Sequence, residues 1–144
     1  LQTVLTYLIG MLGGVSVAVQ STMVGAMGQQ IGGLASSLIV HLSGALIAGA
    51  LLVLRGGENI HLWRTLPWYM LISGAFGVVL YLTFNFTFPR LGGGAAIMLI
   101  IVGQLIMGVL VDHFGLLGAP VRPLELTRLL GIGLLLIGGY LIVR

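Results

Sequence analysis

The 144-residue chain has no cysteine and no lysine, and its charged side chains are six arginines and three acids. Without cysteine there are no disulfides, no thiol nucleophile and no thiolate metal site, and the redox compartment is unreadable. The shortage of charge excludes more. A water-soluble surface is roughly 25% charged, whereas only 6% of this chain is. A soluble enzyme, a nucleic-acid-binding domain and a disordered chain are all excluded on that ground. The formal net charge of +3 comes from scattered arginines rather than a basic patch, so it points to no nucleic-acid partner. No Walker loop, Ser-His-Asp set or His-x-x-Glu-His motif occurs, and His41, His61 and His113 are too widely spaced to suggest a haem or metal cage. No enzyme activity, metal or other cofactor is expected.

What is present is hydrocarbon. Hydrophobic residues make up 58% of the chain, and the mean hydropathy is +1.18. The principal solvent is therefore a lipid bilayer. A helical span needs about 20 mostly apolar residues, and five stretches qualify: about 4–27, 34–54, 67–88, 91–111 and 124–143. They read as helices because an open strand cannot satisfy its backbone in hydrocarbon. A barrel would show short alternating segments instead. Pro67 suits the first turn of the third span, and Pro89 is expected to end it, with Pro89-Arg90 as a hairpin. The expected fold is all-α: one five-span transmembrane domain. Its odd number of spans puts the termini on opposite sides. Arg55, Arg64, Arg122 and Arg128 then share the N-terminal side, against Arg90 and Arg144 on the other. That bias favours a cytoplasmic N-terminus. It is small enough that insertion in both orientations, and antiparallel pairing, is a real alternative.

The 24 glycines are arranged in stripes. Gly10, Gly13, Val17, Gln20 and Val24 fall on one face of the first span at steps of three and four; Ser37, His41, Gly44 and Ala48 do so in the second. Gly74, Gly77, Tyr81 and Asn85 form the third stripe, and Gly93, Ile97, Ile100, Gln104, Gly108 and Asp112 the fourth. Small residues let helices approach closely in lipid. Polar residues on the same faces need one another, water or a ligand, because an unpartnered polar group in hydrocarbon costs several kcal/mol, roughly 2–7 on transfer scales. Gln20, His41, Tyr81 and Asn85 fall in the same half of the bilayer, away from the N-terminus, with Gln104 near its centre. These five are the candidate substrate contacts; the competing roles are interhelical hydrogen bonding for Gln20 and Gln104, a neutral structural donor for His41, and interface residues for Tyr81 and Asn85. His41 is the one mid-membrane histidine, the side-chain type suited to proton exchange, so it is also a coupling candidate. Asp112 ends the fourth span, where a carboxylate opposes the helix dipole, so it needs Arg122 or Arg128 as partner; a structural salt bridge is the expected role of this set, and ion coupling is the alternative. Arg90 followed by Gly93 at a helix start is a possible anion contact, with a tight hairpin as the alternative. Trp63, Trp68 and Tyr69 read as interfacial anchors. In the fifth span Gly131, Leu135 and Gly138 make a small face without a mid-membrane polar group, suited to helix packing or to dimer contact.

The runs Pro89-Arg90-Leu91-Gly92, Gly103-Gln104, Asp112-His113-Phe114-Gly115 and Arg128-Leu129-Leu130-Gly131 resemble the second half of YdcZ-like proteins, and Gln20, Gly28 and Gly44 agree with their first half. These are small five-span bacterial inner-membrane proteins of the drug/metabolite transporter superfamily. The resemblance covers essentially the whole chain. It implies one half of a ten-helix dimeric transporter, paired with itself or with a paralogue of opposite orientation. The chain departs from the family pattern at Val24 and His41, where many relatives carry Asn and Phe. The leading expectation is a small-molecule transporter subunit with alternating access around a polar pocket. A small dimeric ion channel and a non-transporting accessory subunit are the rivals.

Because native cysteine is absent, single cysteines report topology directly. Replacements at Gly56 and at Arg144 are expected to label from opposite sides of intact cells with a membrane-impermeant maleimide. Labelling of each site from both sides would show dual insertion.

Overall fold

The computed structural model describes residues 2–143, and the side chains of 2–142. Its long helices follow from the apolar runs: α1 is Gln2–Ile31 and α2 Gly33–Leu54. A short α3, Trp68–Leu71, leads into α4, Gly74–Leu91. Then come α5, Gly93–Phe114, and α6, Leu126–Val143. Two 3-10 turns, Ile60–Thr65 and Leu116–Gly118, lie in the longer connections. No strand occurs among the described residues. Among the described residues, four segments can cross a bilayer by length and hydropathy: α1, α2, Trp68–Leu91 and α5; the apolar helix Leu126–Ile142 is shorter.

Helix ends lie a few residues from those expected, α1 running to Ile31 and α5 to Phe114, and two boundaries differ in kind. The third span is not one regular helix from Pro67: Ala75 and Phe76 donate to carbonyls three residues back, at Ile72 and Ser73, so a 3-10 step joins α3 to α4. Nor does Pro89 end α4, which runs on to Leu91. Proline removes one N–H, the one that would reach the Asn85 carbonyl, but two further helical residues follow before the turn. The helix breaks instead at Gly92, whose φ of 78° is open to glycine and strained for other residues. Gly32 does the same between α1 and α2, with φ 89°. In both junctions the glycine carbonyl accepts the N–H four residues on, from Ser36 and Ala96, starting the next helix immediately.

The chain divides into two compact units, Leu1–Pro89 and Arg90–Arg144. In the first, α1 packs on α2. The buried face of α1 is Ser21, Val24 and Gly25, one position round from Gln20, which is exposed. α4 meets these helices through large side chains set against small ones. Phe88 lies on Gly25, Leu82 on Gly33, and Phe84 is 1% exposed. The Asn85 amide occupies the space a side chain at Gly28 would need. Hydroxyls along these helices are satisfied locally: Thr6, Ser16, Ser21, Thr22, Thr83 and Thr87 donate to carbonyls four residues back. In the second unit α5 packs on α6, with Met98 against Gly139.

Many glycines meet nothing: a Cβ at Gly10, Gly13, Gly14, Gly44 or Gly74 would find no atom within 4 Å. The contrast is testable. Gly28→Ala is expected to cost about 1–3 kcal/mol through overpacking, while Gly14→Ala stays within about 0.5 kcal/mol. Thermal unfolding of both in the same detergent checks the difference.

Candidate functional site

Within the first unit the polar side chains of α2 and α4 converge. α4 presents Gly77, Tyr81 and Asn85 at four-residue steps, one above another on one face. α2 opposes them with Ser36, Ser37 and His41. His41 Nδ1 lies 2.7 Å from the Ser37 carbonyl and 3.4 Å from its hydroxyl. A carbonyl only accepts, so Nδ1 carries the proton in the neutral ring and Nε2 is left as the acceptor. Nε2 points at Gly77, 2.6 Å from where a Cβ would stand. The imidazole meets the Tyr81 ring edge-on, centroids 5.2 Å apart. Tyr81 is buried, and so are Ser36 and Ser37.

Asn85 closes the cluster. Its Nδ2 donates to the Tyr81 carbonyl at 2.8 Å and to the Ser36 hydroxyl at 3.3 Å. That pairing fixes the amide orientation, since the carbonyl requires a donor. Oδ1 is buried and has no hydrogen-bond partner. Such an orphan costs about 1–3 kcal/mol, and it faces the bare backbone of Gly28.

The other candidate residues are placed as follows. Gln20 lines a separate groove of about 620 Å³ between α1 and α2, with Ser16 and Ser43 as its other polar walls. Gln104 lines a groove of about 370 Å³ between α5 and α6, in the second unit. The structure thus brings His41, Tyr81 and Asn85 together and sets Gln20 on another face of the same unit. Asp112 falls inside the last turn of α5, which ends with Gly115 in the left-handed region. Of its two candidate partners, Arg128 makes the ion pair, Nη2 to Oδ2 at 3.2 Å. Arg122 instead donates its backbone N–H to the Asp112 carbonyl at 2.8 Å. His113 Nδ1 accepts the Leu124 N–H at 3.2 Å, so the α5–α6 connection is tied down at both residues. Arg90 is exposed in the last turn of α4, separated from Gly93 by Leu91 and the helix break at Gly92. Among the described residues no group of three or more His, Asp or Glu side chains could hold a metal ion.

Sequence reading missed Ser36 and the role of Gly28. The Ser37–His41 spacing drew attention to one hydroxyl, yet its neighbour is the one that reaches Asn85. The usable signal was the pair Ser36-Ser37 one turn after Gly32-Gly33, opposite the only asparagine in the apolar spans.

Long apolar helices with polar groups gathered on small-residue faces define a polytopic α-helical membrane protein. The family model described as "Putative inner membrane exporter, YdcZ" matches residues 5–141. The chain belongs to that family, a family of multi-pass inner-membrane proteins described by transport and not by catalysis. Comparison with curated proteins and with solved structures gave no match.

The fit of His41 against Gly77 is checked by Gly77→Ala. That methyl is expected to displace the ring and shift the imidazole ¹⁵N resonances, whereas Gly74→Ala, with nothing within 4 Å, leaves them unchanged.

Proposed function

We propose that the chain is one subunit of a small-molecule exporter. In this reading five helices cross the membrane, two copies or two paralogues pair to give ten, and cargo is exposed to each side in turn. The N-terminus is cytoplasmic, or the subunit inserts both ways and pairs antiparallel. The family description supports export. The observation that carries the reading is the Asn85 amide: a buried carbonyl oxygen without a partner, beside a histidine whose acceptor nitrogen faces a glycine. Packing alone would favour an apolar side chain there, because a polar atom left unsatisfied in hydrocarbon is a standing cost. Ionisable and strongly polar groups inside membranes mark substrate or proton pathways. Asn85, Tyr81 and His41 are therefore assigned to cargo contact in the first unit. Gln20 and Gln104 are assigned to the grooves that lead cargo along the helices. His41, whose ring would become a double donor on protonation, is assigned to coupling.

Reconstitution in proteoliposomes tests this. With a panel of amphiphilic metabolites and dyes, at least one compound is expected to show saturable uptake and counterflow. Asn85→Ala is expected to lower that flux about tenfold or more, as loss of a hydrogen bond to cargo of about 1.4 kcal/mol requires, while changing thermal stability little. Unsaturable flux at electrical rates would make the protein a channel, and equal flux in Asn85→Ala would remove the site.

A further inference from the structure

The second unit holds a groove of its own. α5 lines it with Gln104, Gly108 and Asp112, one residue per turn along one face; α6 lines it with Arg128, Gly131 and Ile132. Gln104 and Asp112 are eight residues apart, about 12 Å along the helix axis at 1.5 Å per residue. The floor is bare: a Cβ at Gly108 or at Gly131 would find nothing within 4 Å. At about 370 Å³ the groove is in the size range of small-ligand sites, roughly 300–1,000 Å³.

Its charged end is incompletely satisfied. Asp112 takes only Nη2 of Arg128, at 3.2 Å, and the two side chains are 35% and 33% exposed. Arg128 Nη1 is buried and makes no hydrogen bond. A guanidinium is built to hold a carboxylate or phosphate by two parallel N–H bonds, and such bidentate pairs are the strong ones. Asp112 in its place at the end of α5 supplies one oxygen to one nitrogen. The spare donor capacity belongs to the cation, so the missing group is an anion; because Nη1 is enclosed where it stands, the anion gains it by drawing the guanidinium off Asp112 into the groove. At the other end Gln104 is exposed and offers an amide that both donates and accepts. Between the two ends the walls are Leu105, Val109 and Ile132.

We propose that this groove binds an elongated organic monoanion. Its carboxylate takes Arg128 in competition with Asp112, its apolar body lies over Gly108 and Gly131, and a hydrogen-bonding group at its far end meets Gln104. The ligand's being cargo rests on the exporter reading above; its being bound rests on the groove alone.

The test is equilibrium dialysis of radiolabelled 4-hydroxycinnamate, a carboxylate with a phenol at the opposite end, against the intact protein in phosphatidylcholine nanodiscs. Saturable binding is expected, with none for the neutral methyl ester. Arg128→Gln should weaken binding about tenfold or more, the loss of a charge-assisted hydrogen bond, and Gln104→Leu should weaken it by about threefold or more. Asp112→Asn removes the internal competitor and should tighten binding several-fold. That gain cannot come from misfolding, so it keeps the test decisive if Arg128→Gln fails to fold. Absent or ester-insensitive binding, or unchanged or weaker binding in Asp112→Asn, overturns the site. Competition by phosphatidylglycerol at ordinary bilayer fractions would give the groove to a lipid headgroup and overturn the cargo assignment. Because no flux is measured, an exporter that fails in proteoliposomes leaves this result standing, and the reverse also holds.

Discussion

Inside a bilayer no water is at hand to complete an unfinished hydrogen bond, and that constraint orders everything in this chain. The backbone meets it by closing into helices. Serine and threonine hydroxyls meet it by turning back onto carbonyls one turn earlier. His41 meets half of it through the Ser37 carbonyl. The Asn85 carbonyl oxygen and Arg128 Nη1 do not meet it within the chain. Among the described residues these are the enclosed polar atoms left without a hydrogen bond, one in each unit, and they are where physical reasoning looks for a partner that the chain does not supply.

Glycine is the second organising element, and it acts in two ways. At Gly32 and Gly92 it breaks one helix and lets the next begin within a single residue, without a loop. At Gly25, Gly28, Gly33 and Gly77 it clears room for Phe88, Asn85, Leu82 and His41. These contacts draw the polar groups of α2 and α4 together. Where α1 and α2 carry glycines that touch nothing, their faces are available to another surface, as the pairing in the exporter reading requires.

How much of this was legible beforehand follows from what each signal depends on. Long apolar runs dictate helices whatever their neighbours, so the all-α character and the order of the segments could be read from composition. The four-residue step from Gly77 to Tyr81 to Asn85 is intrinsic to a helix, so their shared face was legible too. Pro89 misled because a proline near a helix end costs one hydrogen bond and does not force a turn, whereas a glycine with positive φ does. The placement of Gln20 needs more than periodicity. A stripe read at steps of three and four is wide enough to include two adjacent faces: Val24 of that stripe is buried with Ser21 and Gly25, while Gln20 lies exposed along the α1–α2 groove. The choice of Arg128 over Arg122 depends on how the chain returns after Gly115, which no periodicity encodes. The family resemblance reached further than periodicity did, but it concerned the chain as a whole and not which atoms meet.

The account stands on the cluster around Asn85 being wetted by cargo or water in some state of the membrane-embedded protein. Solid-state NMR transfer of water magnetisation in lipid bilayers measures this directly. Transfer to the side chains of His41, Tyr81 and Asn85 at rates comparable with the Arg55–Leu66 loop, and far faster than to Gly14, is the result the account requires. Transfer as slow as at Gly14, at every pH and with every compound added, would make the cluster a dry structural knot and contradict it.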